Sequence, residues 1–293
     1  MVMRSCRTAT VLGLVAMLVL VACGPDTRPV AGNGNASSSS SAPQKYAIDA
    51  TVLESAEHGP ELCAGPVAAS LPPLCGGPPI PGWDWNAVAK KTTAQTTTWG
   101  EYHLVGTYDG TTFTLTEPAS EFQQSAPVPL PDFSTPCAAP AGGWSVVDPA
   151  KISLDDYTAF TTEAPSPPDY AGMWVDASTN VNGLAGVPIN QVYTVAYTGD
   201  LDRHRSELAA IWGGPVCVIQ RSRTEASLRA ITDELFGDFG RSIGLQVLSS
   251  GNNDLRNTVM CTAMVSTPAL QQKLDERFGT GVVELTGALQ PVP

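Results

Sequence analysis

The sequence predicts an α+β protein: a small N-terminal β-domain followed by a C-terminal α/β sandwich of two αββαβ copies. Three observations carry this. Residues 102–116 alternate like two strands around Asp109-Gly110. The second half contains an internal repeat at an offset of 66 residues. Stretches of Pro, Gly and Ser separate these parts, as linkers do.

Before the first folded element stand two segments of different character. Arg4 and Arg7 precede an apolar run from Ala9 to Ala22. A basic start, a short apolar core and a small residue before a cut form a secretory leader, expected over 1–22. The run is too short to be kept as a membrane span. Residues 23–44 follow, rich in Gly, Pro, Asn and Ser, with five serines at Ser37 to Ser41. This composition buries no core and is expected to act as a tether with an r.m.s. reach of roughly 25 Å.

The β-domain is expected over 45–125. Tyr46 to Ser55 reads as a strand. Tyr102 to Tyr108 and Thr111 to Thr116 read as a hairpin, because Asp-Gly tolerates the positive φ angles of a type I′ turn. Pro60 to Trp85 shows no regular period and reads as ordered loop. A partly open barrel is the expected closure. Residues 126–150, with Pro, Ala and Gly clustered around Cys137, read as a connector.

Residues 151–293 carry the repeat. Val192 to Thr198 falls on Thr258 to Met264, strand on strand. Leu208 falls on Leu274 and Trp212 on Phe278, the i and i+4 positions of one helix face. Gly213 falls on Gly279, read as a helix stop. Val216 to Ile219 falls on Val282 to Leu285. Upstream, Ser153 opens a helical stretch before a strand at Tyr170 to Asp176. Ser222 with Glu225 reads as a capping box before Ala226 to Phe236, and Gly244 to Ser249 as the next strand. Thr267-Pro268 is an N-cap with proline at the first helical position.

Charge and cysteine narrow the function classes. Loss of Arg4 and Arg7 with the leader takes the formal charge from −12 to −14. With only five lysines, the chain has little to neutralise phosphates, so nucleic acid is not an expected partner. Beyond the leader and Cys23, five cysteines remain: Cys63, Cys75, Cys137, Cys217 and Cys261. An oxidising compartment favours disulfides. Cys63 with Cys75 is the expected staple of the 60–85 loop. Cys137 is a further partner for either, and Cys217 with Cys261 would join the two copies. One thiol is left over.

Leu20-Val21-Ala22-Cys23 resembles the lipobox of bacterial lipoproteins. The resemblance implies cleavage before Cys23, lipidation of its sulfur and anchorage on the outer face of the cell membrane. Glu61-Leu-Cys63, Leu71-Pro-Pro-Leu-Cys-Gly-Gly77 and Gly82-Trp-Asp-Trp85 look like lipoproteins of the high-GC Gram-positive envelope, a likeness that implies no activity. Tyr170 to Leu285, about 40% of the chain, loosely resembles the pro-regions of alpha-lytic-type serine proteases. That rests on Ala171-Gly-Met-Trp-Val-Asp176, on Arg221-Ser222 ahead of Leu228 and Leu235, and on Asp254-Leu-Arg-Asn-Thr-Val259. It implies protein binding, with no protease domain expected beyond Pro293.

No complete catalytic set is visible. Gly-x-Ser-x-Gly, His-Glu-x-x-His and phosphate-cradling glycines do not occur, and no metal or cofactor is expected. His204 reads as a solvated helix residue and His103 as a structural strand residue. His58 lies near Glu57, Glu61 and Cys63, but the spacing fits no established ligand set. Trp83-Asp84-Trp85 could stack on a sugar or grip a cation, or could anchor the loop to the β-core. Asp148, Asp155, Asp156 and Glu163 are accounted for by helix capping and dipole. The expected function is a membrane-anchored, non-catalytic protein-binding module, with an envelope or secreted protein as partner. The alternatives are an envelope hydrolase or carbohydrate-active protein, and a small-ligand or metal carrier.

Overall fold

The computed structural model describes residues 43–123, 129–179 and 191–292. The leader, Cys23 and residues 23–42 of the expected tether lie outside the described residues. Strand β1 (Lys45–Glu54) leads, then β2 (Glu61–Cys63), β3 (Thr92–Ala94), β4 (Thr97–Tyr108), β5 (Phe113–Leu115) and β6 (Ser120–Glu121). The second half runs α1 (Leu154–Glu163), β7 (Tyr170–Asp176), β8 (Val192–Tyr197), α2 (Leu201–Ile211), β9 (Val216–Gln220), α3 (Glu225–Phe236), α4 (Asp238–Ser242), β10 (Val247–Asn253), β11 (Thr258–Val265), α5 (Pro268–Phe278) and β12 (Val283–Val292).

β1 and β4 pair antiparallel over their full length, Lys45 with Thr107 through Glu54 with Thr98. Even-numbered residues Ile48, Ala50, Val52, Tyr102 and Leu104 face one core together with Leu62, Ile80 and Phe113. This is the period of two expected of a strand with one buried face. The hairpin turn is wider than a type I′ loop: Tyr108 pairs with Phe113. Asp109 accepts from the backbone N–H groups of Thr111 and Thr112, each at 2.8 Å. A tight two-residue turn does occur, at Gln95-Thr96, where Ala94 pairs with Thr97 and Gln95 takes φ 54°.

The sheet is open and does not form the expected partly open barrel. The strands that could close it pair elsewhere. β1 is flanked at its end by β2 and at its start by β12, with Lys45 opposite Val292. One nine-stranded sheet thereby runs β10-β11-β12-β1-β4-β3, with β2, β5 and β6 on the side. Met264 and Leu289 enter the same core as Ile48 and Leu104.

The order helix, strand, strand, helix, strand occurs twice. In each set the first two strands are antiparallel and the last two parallel: β7-β8-β9, then β10-β11-β12. Phe160, Leu208 and Trp212 pack on Val195, Tyr197 and Val218 in the first set. Leu228, Leu235 and Leu274 pack on Val259, Ala263 and Val283 in the second. Ser153 and Asp156 form a capping box at α1, and Thr267 caps α5. α3 is capped by Thr224, not by Ser222. Gly279 closes α5 at φ 100°. Gly213 does not stop α2, which ends on extended Trp212; it lies where a Cβ would collide with the backbone of Asp148.

All six residues of β8 are buried, because both its faces are covered. The helices take one face. Cys137, Trp144 and Val146 cover Val192 and Cys217 on the other. Cys217 is therefore bonded to Cys137, and not to Cys261. Cys261 is a buried free thiol on the helix-covered face of β11. Burial raises its pKa to about 11, which leaves it protonated and unreactive at neutral pH. Cys63 is bonded to Cys75.

Candidate functional site

The outer edge of β4 is covered piecemeal. β3 pairs with Thr97 to Trp99, β6 with Tyr102 and His103, and β5 with Gly106 to Tyr108. Gly100 and Glu101 pair only with β1. At this gap lies an open groove of about 1100 Å³. Trp99, Tyr102 and Phe122 supply its apolar surface, and Lys90, Glu101 and Glu121 its charges.

One wall of the groove is the 83–91 loop, and aromatic packing holds it. The Trp83 ring lies 5.1 Å from Tyr102 and 5.3 Å edge-on from Trp85. The Trp85 indole donates to Glu54 Oε2 at 2.5 Å. Lys91 Nζ donates to the Trp85 carbonyl at 2.6 Å, and the Tyr102 hydroxyl donates to the Lys90 carbonyl. Burial raises the pKa of Tyr102, so the hydroxyl stays a donor. Lys90 reaches Glu121 at 3.0 Å, joining the loop to β6 through two exposed side chains. Such a pair adds little stability and yields readily to a ligand.

Gly100 makes the close approach possible. A methyl group there would run into the Tyr102 hydroxyl and the Lys90 carbonyl. Gly100→Ala is expected to push the 83–91 loop off the sheet and lower stability by about 2 kcal/mol. Urea unfolding checks the stability, and increased access of the Trp83 and Trp85 indoles to acrylamide checks the loop.

The structure therefore uses Trp83 and Trp85 mainly as anchors. Both are half-buried against the β-core. Asp84 is exposed, and its Oδ1 accepts from the Asn86 N–H at 2.8 Å. His58 Nδ1 lies 3.0 Å from the Gly59 carbonyl and 3.6 Å from Glu61. Cys63 is consumed by its disulfide, so this loop has no thiolate to offer a metal. Among the described residues no group of three or more His, Cys, Asp or Glu side chains is placed to hold a metal ion. His103 lies 3.2 Å from Asp49 across the β1–β4 ladder.

His204 departs from the sequence expectation most clearly. It is 1% exposed, not solvated. Its ring stacks on Tyr197 at 3.6 Å. Nε2 lies 2.8 Å from Asp169 and Nδ1 3.3 Å from Glu207. Arg203 completes the network, 3.0 Å from Glu207 and 2.8 Å from Asp200. Burial pushes the pKa of Asp169 up, but hydrogen bonding and charge from His204, with Arg203, bring it below the ordinary carboxylate value. The Tyr197 hydroxyl is spent on the Ala164 carbonyl. This arrangement locks α2 to the end of β7 and offers no activated nucleophile. Its signal was the spacing: His204 precedes Leu208 by one helical turn on the buried face.

Asp254 marks a second buried contact, between β7 and the β10–β11 turn. It accepts from Met173 N–H at 3.3 Å. Gly172, at φ 137°, leaves room for it beside a register shift in β7. Burial raises its pKa, the Glu225 charge raises it further, and the Met173 bond lowers it. A raised carboxyl favours the fold when protonated, and that contribution is lost as pH rises through the folded pKa. Asp254→Asn mimics the protonated acid. It is expected to raise the melting temperature at pH 7 by a few degrees, with the gain fading below about pH 4.

The groove was not legible in the sequence. It is built by β3, β6 and two loops meeting on β4, and only the neighbouring tryptophans pointed to this region. Comparison with family models, curated proteins and solved structures finds no match.

Proposed function

We propose that the protein is an extracytoplasmic binding module, held to the membrane by lipid on Cys23, that takes an extended polypeptide segment in the groove beside β4. The observation that carries this is the break in edge pairing at Gly100 and Glu101 inside the groove. An exposed strand edge adds an extended chain through main-chain hydrogen bonds, while flanking pockets select side chains. Trp99 and Phe122 provide the apolar contact, and Lys90 and Glu121 provide charges of both signs. The lipobox-like Leu20 to Cys23 and the tether composition support the anchor. A partner protein of the envelope, or a secreted one, is the occupant that suits this address.

The two αββαβ sets are read as copies of one ancestral unit. Offsetting the chain by 66 residues brings β8 onto β11, α2 onto α5 and β9 onto β12 with the same pairing sense. This arrangement is the platform that presents the groove, because β12 adds directly to β1.

A photo-crosslinking residue at position 101, in the protein on intact cells, tests the reading. It should yield adducts with a polypeptide, and the yield should fall in Gly100→Ala protein shown to be folded by circular dichroism. Adducts with a small molecule alone, or equal capture from position 236 on α3, would contradict it.

A further inference from the structure

We propose that the loop closed by Cys63 and Cys75 is a second membrane contact, which dips Leu71 and Leu74 into the bilayer that holds the lipid anchor. This rests on the anchor reading of Cys23 but is independent of the groove's occupant.

From Ala64 to Trp83 the chain carries no charged residue. Within the loop, Leu71 is 77% exposed, Leu74 65% and Val67 38%. A disulfide with a 5.6 Å Cα separation closes its base, so the tip is presented without the entropy loss of ordering a free loop. The loop also satisfies part of its own backbone. Ala68 N–H donates to the Leu74 carbonyl and Ser70 N–H to the Ala68 carbonyl, both at 2.8 Å. The Ser70 hydroxyl donates to the Pro72 carbonyl at 2.8 Å. Pro66, Pro72 and Pro73 bring no N–H at all. Unpaired backbone groups are what makes irregular loops costly in hydrocarbon, and this loop has reduced their number.

Position favours a bilayer over a protein surface. Cys63 pairs with Thr51, six residues along β1 from Lys45, or about 20 Å. Lys45 is where the tether joins the fold, and residues of that composition reach roughly 25 Å. The loop root is thus within reach of the same lipid surface. Protein interfaces carry a polar rim around an apolar centre, whereas this segment offers no charge for such a rim. The acidic body gains nothing from anionic lipid, so insertion should depend on apolar area alone and be insensitive to salt. Val67 and Pro73 also line the groove, so a seated loop would bring the groove to the membrane surface.

The test uses the full mature protein in phosphatidylcholine vesicles, with a diazirine analogue of leucine at position 71. Position 236, on α3 and 49% exposed in the native chain, is the comparison. Adducts with acyl chains at 71 are expected to exceed those at 236 about tenfold, the scale set by burying one leucine. Leu71→Ser with Leu74→Ser, tested with the same probe at position 67, should abolish lipid adducts while leaving thermal unfolding unchanged. Equal lipid adducts at 71 and 236, or adducts at 71 with protein only, would overturn the proposal. The intact mass of the same preparation separates the two readings. A Cys23 without acyl chains overturns the anchor reading and this one with it. An acylated Cys23 without lipid adducts at 71 overturns this one alone.

Discussion

Replacing Cys137 and Cys217 together by serine is expected to lower the free energy of unfolding by about 4 kcal/mol, the larger of the two disulfide effects. The bond spans 80 residues of sequence, whereas Cys63–Cys75 spans 12. In the chain-entropy account, closing the longer loop restricts the unfolded chain more, about 4.5 against about 3 kcal/mol. The folded state loses contacts as well. Cys137 lies with Trp144 and Val146 over Val192 and Cys217, and Thr135 donates its N–H to the buried Asp176 carboxylate at 2.8 Å. Releasing this segment opens one face of β8, whose residues are all buried. Urea unfolding of the oxidised wild type against the double variant measures the loss. A difference under about 1 kcal/mol would mean that packing alone holds the segment in place.

His204→Ala is expected to cost about 3 kcal/mol, through two effects on one site. The ring stacked on Tyr197 is lost and leaves a void beside it. Asp169, 24% exposed at its side chain, loses the partner at 2.8 Å. The pH dependence distinguishes the charge effect from the void. Asp169 is held below its ordinary pKa, so its contribution is present above the unfolded-state value and is lost as pH falls through the folded one. The gap in melting temperature between wild type and His204→Ala should be widest near pH 7 and narrow toward pH 3. A gap independent of pH would assign the whole effect to packing. His204→Gln, which keeps a donor, should recover part of the loss at pH 7.

What the sequence made legible was local. Ser153 and Thr267 cap helices because a short hydroxyl at that position satisfies free N–H groups, and that depends on a few neighbouring residues. The repeat was legible because Leu208 and Trp212 recur as Leu274 and Phe278, and the pairings of β8 with β9 and of β11 with β12 follow the same offset. What escaped was set by distant partners. Nothing near Val292 announces that it pairs with Lys45, and that ladder is one reason no barrel closes. Cys217 took Cys137 because alternate strand residues face opposite sides, and the helices already occupied the other side. The Gln95-Thr96 turn lacks the glycine that normally signals a two-residue hairpin. The candidate site was half visible. Trp83 and Trp85 were legible as loop anchors, but the groove itself exists only where β3 and β6 leave Gly100 and Glu101 unpaired.

The central claim is that a fold built around this groove is held at the membrane by one lipidated cysteine. Intact-mass and peptide mass spectrometry of the protein extracted from membranes test it most directly. The account predicts a chain beginning at Cys23, with a thioether-linked diacylglycerol on its sulfur, and release of the protein from membranes in Cys23→Ser. A chain that retains residues 1–22, or one that begins at Cys23 with an unmodified thiol, would contradict it.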